Sequence, residues 1–185
     1  MTLKEMKLKV LRMIEEVSTD DKLTDDPDIK AKLNDVINSV MFEVARMKKI
    51  PAILTENITD LEYDLKTIKD FYQLEYIKFK NNEGKEVEGL SSFGTVVEFP
   101  EEGTAKFYYY KYPERITDTT EETYVFELSD DALEVMAFGV AGDLLKSDVS
   151  NSYGQIYSQK YETMLQRLDP RYSMGMISFE GGIDI

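Results

Sequence analysis

The chain of 185 residues contains neither cysteine nor histidine. The absence of cysteine excludes disulfides, cysteine-based zinc sites and thiol nucleophiles, and it suits a reducing compartment. The absence of histidine removes the Ser-His-Asp triad, the usual imidazole base and most transition-metal sites. A pair of carboxylates is therefore the catalytic device that the composition leaves open.

Long apolar runs are also missing. No stretch approaches the roughly 20 apolar residues that a membrane span requires. The N-terminal stretch MTLKEMKLKVLRMIEE mixes charges throughout and has neither an apolar block nor a small-residue cleavage site, so we expect no signal peptide. We expect a protein that contacts no membrane and is used in a cytoplasm or packed into a particle assembled there.

Basic residues are scarce relative to acidic ones, 22 against 36, and the net charge is −14. A protein that holds DNA by its phosphates needs the opposite balance. The acidic charge indicates either a solvated surface that keeps the protein soluble or a surface on which a polyanion is not retained. The sequence leaves both interpretations open.

Apolar spacing predicts two helices in the first part of the chain. Apolar residues recur every three to four positions over 3–17, which is typical of an amphipathic helix. Asp26 is a good N-cap and Pro27 fits a first helical turn, so a second helix is expected from there to about Lys49. Pro51 marks the exit from this helix.

Two further helices are predicted near the end of the chain. Ser129 and the two aspartates after it open the third helix. Gly139 and Gly142 within it each cost roughly 1 kcal/mol relative to alanine, which predicts the close approach of another backbone. The fourth helix is expected over about 151–168 and ends where a proline follows Asp169.

The segment between the helix pairs has the character of β-structure. Stretches such as FYQLEYIKF, GTVVEF, TAKFYYYKY and TYVFEL are rich in aromatic and β-branched residues, and NNEG and PEEG between them are turn signals. We predict four to six mostly antiparallel strands here. The expected fold is α+β: a four-helix bundle-like core from 1–58 and 128–169, an inserted β module at 59–127, and an extended tail at 170–185.

The stretch KFYYYKY poses the question of what covers it. A strand directs alternate side chains to opposite faces, and here both faces carry aromatic rings, whereas a half-buried strand usually alternates apolar with polar residues. Tyrosine supplies rigid contact area with a polar tip, which suits a protein interface. The expected subunit-interface residues are Phe107, Tyr108, Tyr109, Tyr110 and Tyr112.

Two pairs of neighbouring acidic residues are the candidates for a catalytic site. Asp118 with Glu121, and Asp130 with Asp131, are possible carboxylate pairs, but the first is explained by a loop and the second by a helix start. No phosphate-binding glycine motif occurs, and DTTEE lacks the ligand spacing of a calcium loop. We therefore predict no enzyme, no cofactor and no metal. The aromatic strand leaves a carbohydrate- or protein-binding module as the alternative function.

A set of short motifs in residues 108–169 carries a resemblance to a known family. They are Tyr112-Pro113, Ile116-Thr117-Asp118, the small-residue pattern from Ala141 to Leu145, Asp148, and the tyrosines 153, 157 and 161. With these motifs, the region resembles the C-terminal half of head–tail connector (adaptor, head-completion) proteins of tailed bacteriophages. The two N-terminal helices also fit that family, and some members carry a β insertion between the helix pairs.

The resemblance implies a structural protein of the virion. Such proteins form a ring, usually of twelve subunits, which docks under the portal, completes the head and provides a channel for DNA. The implied partners are other copies of the chain, the portal protein and a tail or second adaptor protein, while DNA only passes through. The implied location is the head–tail junction of a virion assembled in the bacterial cytoplasm.

The resemblance to connector proteins also implies roles for two further groups of residues. The tail at 170–185 carries apolar groups together with glycines, so we expect it to become ordered by docking on the portal, with Arg171, Tyr172, Met176 and Phe179 as anchors. An acidic channel wall would let the duplex slide. The candidates for this wall are Asp20, Asp21, Asp25, Asp26, Asp118, Glu121 and Glu122.

Overall fold

The computed structural model describes residues 1–18, 23–146 and 152–168. The described helices are α1 (Leu3–Met13), α2 (Pro27–Lys48), α3 (Asp130–Leu145) and α4 (Ser152–Arg167), with a short 3₁₀ turn at Leu65–Thr67. The described strands are β1 (Ile50–Ile58), β2 (Glu62–Asp64), β3 (Phe71–Asn81), β4 (Ser91–Phe93), β5 (Val96–Glu98) and β6 (Gly103–Lys111). The fold class is α+β, with two helices, a β module and two helices in chain order, as predicted.

The capping residues explain where the first two helices begin. Thr2 and Glu5 form a capping box at α1, in which each side chain accepts a hydrogen bond from the other residue's backbone N–H. Asp26 caps α2 by accepting from the backbone N–H of Asp28 and Ile29 at 2.8 and 3.2 Å. The first helix ends earlier than expected, because Glu15 adopts the left-handed backbone conformation with φ 62°.

Helix α3 lies at the centre of the helical part and contacts α1, α2 and α4. It is apolar on most of its circumference, as a helix surrounded by protein should be. A β-carbon on Gly142 would lie 2.7 Å from the Ser158 Oγ and 3.1 Å from its backbone nitrogen, so the expected close approach of another backbone is confirmed there. Gly139 faces side chains instead, namely Val40 and the Tyr161 ring.

The β module consists of two three-stranded antiparallel sheets. The first sheet has the order β1-β6-β3, and the second sheet has the order β2-β5-β4. Their inner faces enclose an apolar core that is separate from the helical core. Fully or almost fully buried members of this second core are Ile58, Phe79, Val97, Phe99, Ala105 and Phe107.

The sheet begins earlier along the chain than the boundary expected at residue 59. Strand β1 pairs with β6 over its whole length, from Ile50 opposite Lys111 to Ile58 opposite Gly103. Only Lys49 separates α2 from β1, and its φ of 56° turns the chain sharply. The change from helix to strand therefore occurs without a loop, and Pro51 lies inside an edge strand, where proline is tolerated.

The module also ends earlier than expected, at Lys111 rather than 127. The stretch TYVFEL was expected to be a strand, but its only pairing is a single bridge between Val125 and Thr2. Its alternation has another cause, because Phe126 and Leu128 are buried in the helical core while Val125 is exposed. We call residues 112–128 the connecting segment; its buried residues Ile116, Phe126 and Leu128 pack in the helical core, while Tyr112 at its start also contacts Tyr72 of β3.

One buried side chain fixes the connecting segment to α2. The Asn38 amide donates to the carbonyl oxygen of Ile116 at 2.7 Å, and its oxygen accepts from the N–H of Ile116 at 2.8 Å. Both residues are buried, with Asn38 only 3% exposed. The amide therefore satisfies the two backbone groups of a residue 78 positions away in the chain.

Candidate interaction surface

The inward-facing aromatic rings of β6 are covered by the protein's own second sheet. Phe107 is fully buried, and its ring centroid lies 4.8 Å from that of Tyr63 in β2. Tyr109 is also buried, and its hydroxyl donates to the Asp70 carboxylate at 3.0 Å. Burial and this hydrogen bond raise the pKa of Tyr109 to about 12.

The outward-facing rings nearest the helices are covered by the chain as well. Tyr110 is buried, with the Lys49 ammonium 4.8 Å from its ring centroid. Burial, followed by a hydrogen bond to Glu75, raises its pKa to about 12. Tyr112 is half-buried between the rings of Phe42 and Tyr72, at centroid distances of 5.7 and 4.9 Å.

The burial of three of these rings corrects part of the predicted subunit interface. Phe107, Tyr109 and Tyr110 are buried within their own subunit, so they offer no surface to a neighbour. The rings on both faces of β6 are needed because a second sheet covers one face and the end of α2 covers part of the other. Tyr108 and Tyr112 are half-exposed and keep their predicted role as a proposal.

On the outer face of the first sheet, the residues that follow Tyr110 away from the helices are at least partly exposed to solvent. Tyr108 stacks on Tyr76 of β3 at a centroid distance of 4.3 Å. Ile53 of β1 lies on the other side of Tyr108 and is 57% exposed. The next rows of the same face carry exposed lysines from β3 and β6. We call this surface the lysine–tyrosine face, and its members are Ile53, Tyr76, Lys78, Lys80, Lys106 and Tyr108.

The outer face of the second sheet has the opposite charge. Glu62 of β2 lies directly opposite Glu98 of β5 in the strand register, and both are exposed. Ser91 of β4 donates its hydroxyl hydrogen to Glu98 at 2.7 Å. Phe93, which is 88% exposed, and Val96 lie in the adjacent row of the same face. We call this surface the glutamate face, and its named members are Glu62, Ser91, Phe93, Val96 and Glu98.

Patterns along the sequence did not predict these two faces. The lysine–tyrosine face combines residues that are far apart in the chain, which only the strand register brings together. One signal was available, since Lys78 and Lys80 alternate with Phe79 in β3 and must share a face. The pairing of Glu62 with Glu98 has no comparable local signal.

Several acidic residues expected in a channel wall have local partners. Asp26 caps α2, and Glu122 forms an ion pair with Lys7 at 2.8 Å. The Asp118 carboxylate accepts a hydrogen bond from the Asn34 amide at 3.1 Å. Asp25 and Glu121 are exposed. Asp20 and Asp21 lie outside the described residues.

The residues expected to dock on the portal also lie outside the described part of the chain. They are Arg171, Tyr172, Met176 and Phe179. Asp148 of the family-like motifs is likewise outside it. The expectations attached to these residues therefore stay predictions.

The tyrosines of the last helix connect it to the first two helices. The Tyr157 hydroxyl donates to the backbone oxygen of Met13 at 2.8 Å. The Tyr161 hydroxyl donates to the Glu43 carboxylate at 2.7 Å, and burial together with this bond raises the pKa of Tyr161 far above its usual value. Tyr153 is exposed. Two of the three motif tyrosines therefore stabilise the packing of the helices.

Neither candidate carboxylate pair lies in an enclosed site. Asp118 and Glu121 occupy an exposed turn. Asp131 pairs with Lys48 at 2.7 Å, and this hydrogen bond is the main cause that lowers its pKa to about 2. Within residues 1–18, 23–146 and 152–168, no group of three acidic residues is placed to hold a metal ion. No helix in the same ranges is long and apolar enough to cross a bilayer.

A cleft of about 720 Å³ lies where the β module meets the connecting segment. Its wall combines aromatic rings with both signs of charge. The lining residues are Phe42, Lys69, Asp70, Lys111, Tyr112, Pro113, Glu114, Arg115 and Glu127. Lys111 and Glu127 form an ion pair across it. The volume of this cleft and its mixture of aromatic and charged residues lie in the range of small-ligand sites.

Comparison of the chain with models of protein families gives no match. Comparison with curated protein sequences gives none either.

Proposed function

We propose that this chain is a structural subunit of a tailed-bacteriophage particle, which forms a ring between the portal and the tail. The class of structural protein that we propose is the one that the motifs in residues 108–169 resemble. In such a ring the protein completes the head and surrounds a channel for DNA, and it needs no catalytic residue, cofactor or metal.

The observation that carries the proposal is the position of the exposed apolar side chains. A ring with rotational symmetry joins two different surfaces of each subunit, so every subunit needs two distinct contact areas. Ile53 and Phe93 are 57% and 88% exposed on opposite sides of the β module. Large exposed apolar groups on two separate faces are expected of a subunit with two neighbours.

A second group of exposed apolar residues lies on the helical part. Val125 of the connecting segment and Ile156 of α4 are both more than half exposed. These positions lie outside the two sheets and supply further contact area for the portal or for a tail protein. The proposal also assigns docking on the portal to residues 170–185.

Electron microscopy of the assembly tests the proposal. We expect the purified chain, alone or mixed with its portal protein, to form closed rings with a central channel. A chain truncated after Asp169 should keep the circular dichroism of the full chain but fail to attach to the portal. A monomeric protein that neither forms rings nor binds the portal would contradict the proposal.

The acidic charge has a role in this proposal. A wall that neutralised phosphates would retain DNA, because each neutralised phosphate adds salt-dependent affinity. Asp25 and Glu121 are exposed candidates for the wall, and the hydrogen bond described for their carboxylates is local, from the Thr123 hydroxyl to Glu121 at 3.2 Å. Replacing both with lysine should slow DNA ejection, most strongly at low ionic strength, where screening is weakest. An unchanged ejection rate would count against a sliding role.

The alternative function is a soluble binding module without catalysis. The observation that favours it is the cleft containing Phe42 and Tyr112, because aromatic rings beside charged groups suit a carbohydrate. The two proposals differ in their outcome with Tyr112→Ala. If the cleft is a sugar site, this variant should abolish the binding of oligosaccharides measured by calorimetry. If the chain forms the proposed ring, in which Tyr112 is an interface residue, the variant should weaken ring assembly and the wild type should bind no oligosaccharide.

A further inference from the structure

The lysine–tyrosine face and the glutamate face point in opposite directions. The second core lies between the two sheets, so the outer side of each sheet faces away from the other sheet. The strand register confirms the sides: Phe107 of β6 points into the core, whereas its neighbours Lys106 and Tyr108 point outward. The β module therefore presents two unlike surfaces, one on each side.

The lysine–tyrosine face concentrates positive charge in an acidic protein. Lys78 lies directly opposite Lys106, and Lys80 occupies the next row. Within the described residues, none of these three lysines forms an ion pair, although Lys106 lies 5.2 Å from the centroid of the Tyr108 ring. Glu86 lies opposite Lys80 across a β-bridge, and Glu75 accepts a hydrogen bond from Tyr110 on the same side of the sheet, so carboxylates also lie near the three lysines.

The charges border an apolar row. Ile53, Tyr108 and Tyr76 follow one another across the three strands, and the rings of the two tyrosines are stacked. Protein interfaces commonly place aromatic and apolar anchors at the centre and charged groups at the rim. The row with its neighbouring lysines has this composition.

The glutamate face has an electrostatic need for a cationic partner. Like charges directly opposite one another on neighbouring strands are destabilising, and Glu62 and Glu98 are in that position. A lysine from outside the chain would relieve the repulsion. Phe93, beside them, offers an apolar group that the chain itself leaves uncovered.

We infer that the lysine–tyrosine face of one copy docks on the glutamate face of the next, so that the β modules associate head to tail. The inference deepens the proposed ring and rests on it for closure of the assembly. A second copy accounts for both faces together: lysines meet glutamates, and Ile53 and the tyrosines meet Phe93. Unlike surfaces joined in this way form a heterologous contact, which is the kind that builds rings.

Duplex DNA is the competing occupant of the lysine–tyrosine face. Phosphates would satisfy the lysines, but they would leave Ile53 uncovered and the glutamate face without a partner. The low proportion of basic residues in the chain also disfavours a DNA-binding role. The charge complementarity of the two faces therefore favours a second copy.

Two charge-reversal variants of the full chain test the inference. The first is Lys78→Glu with Lys106→Glu, and the second is Glu62→Lys with Glu98→Lys. All four residues are exposed. Self-association is measured by sedimentation velocity over a range of protein concentrations, at low and high salt. Each variant alone should raise the dissociation constant of self-association by about tenfold or more, because like charges then face one another.

A mixture of the two variants provides the decisive measurement. One variant carries glutamates on both faces and the other carries lysines on both, so an alternating assembly again joins opposite charges. An equimolar mixture should therefore recover self-association, which a folding defect would not allow. The matched control, Lys4→Glu with Lys32→Glu, reverses the same number of exposed lysines on α1 and α2 and should associate like the wild type.

Three results would overturn the inference: a wild-type chain that stays monomeric, face variants that associate like the wild type, or a mixture that does not recover. If the variant Lys78→Glu with Lys106→Glu keeps its self-association but loses the binding of a short DNA duplex that the wild type shows, the lysine–tyrosine face is a DNA-binding surface instead. Electron microscopy of the same samples separates this inference from the proposed function. Open chains of subunits joined through these faces would support the docking and contradict the ring. Rings that form in each of the two charge-reversal variants tested separately would support the ring and overturn the docking.

Discussion

Replacing Asn38 with leucine should destabilise the protein strongly, because the amide is the hydrogen-bond partner of both backbone groups of Ile116. The two bonds are 2.7 and 2.8 Å long, and both residues are buried away from water. Leucine has a similar size but neither donates nor accepts a hydrogen bond. The variant therefore leaves one N–H and one carbonyl oxygen buried without a partner.

The expected size of the effect follows from the cost of those two groups. Each unsatisfied buried backbone group costs about 1 to 3 kcal/mol. The added apolar burial of leucine offsets part of this cost, so Asn38→Leu should lower the free energy of unfolding by about 1 to 5 kcal/mol. For a protein of this size, the melting temperature should fall by roughly 2 to 20 °C.

The variant Asn38→Asp adds a dependence on pH. A protonated carboxyl group both donates and accepts, so it can replace the amide, whereas a carboxylate cannot donate to the Ile116 carbonyl. The pKa of the introduced group should therefore be higher in the folded protein than the unfolded value of about 3.9. The stability that its protonation provides is fully present below the unfolded pKa and is lost as the pH rises through the folded pKa.

Urea unfolding followed by circular dichroism measures both effects. Asn34→Ala is a suitable control, because Asn34 lies one turn earlier in α2 and makes one exposed hydrogen bond, to Asp118. It should change the stability by less than about 1 kcal/mol. This role of Asn38 is refuted if Asn38→Leu is as stable as this control, or if the stability deficit of Asn38→Asp relative to the wild type does not shrink in acid.

Three further predictions concern other contacts. Gly142→Ala should destabilise the protein by up to about 2 kcal/mol in urea unfolding, because overpacking against α4 outweighs the gain in helix propensity; a more stable variant would contradict the packing. Since the pKa values of Tyr109 and Tyr110 are raised to about 12, the stability from their neutral forms persists below the unfolded pKa and is lost as the pH rises through 12. Tyrosinate absorbance should then show a late transition that coincides with unfolding, and its absence would refute their burial. Asp131→Asn should cost less than about 1 kcal/mol at neutral pH, because the Asp131 side chain is 55% exposed, and the difference should vanish as the pH falls through about 2, the lowered pKa of Asp131; a difference that persists in stronger acid would exclude the ion pair as its cause.

The parts of the fold that depend on local chemistry could be predicted from the sequence. Asp26 followed by Pro27 marks the start of α2 because capping and a preset φ act within a few residues. The helical stripes likewise depend only on spacing along the chain. The arrangement of two helices, a β module and two helices is therefore recovered before any tertiary contact is known.

The boundaries of the β module could not be predicted in the same way. Strand β1 follows α2 after a single residue, so no loop signal separates them, and its pairing partner β6 lies about fifty residues later. Residues 123–128 alternate like a strand because Phe126 and Leu128 pack on helices. Period alone does not say whether a segment is buried against a sheet or against a helix.

The candidate surfaces were the least predictable feature. The aromatic rings of β6 read as exposed on at least one face, but Phe107, Tyr109 and Tyr110 are covered by the chain itself. The exposed face is defined instead by Ile53 and Lys78, which contribute from the two neighbouring strands. Such a surface exists only once the register is fixed, and the register depends on contacts between distant parts of the chain.

The junction between the β module and the helices links the two proposals. The chain crosses it twice, at Lys49 and at Tyr112, and both residues are held by aromatic contacts: Lys49 lies over the Tyr110 ring, and Tyr112 packs between Phe42 and Tyr72. These contacts fix the direction of the two sheet faces relative to α2. If the modules dock head to tail, the docking faces set the rotation from one subunit to the next, and the junction sets where the helices of each subunit lie in the assembly. Whether a chain of subunits closes into a ring or extends as a filament depends on that rotation, so under the proposal the docking faces govern closure and the aromatic junction governs how the helices of neighbouring subunits approach one another.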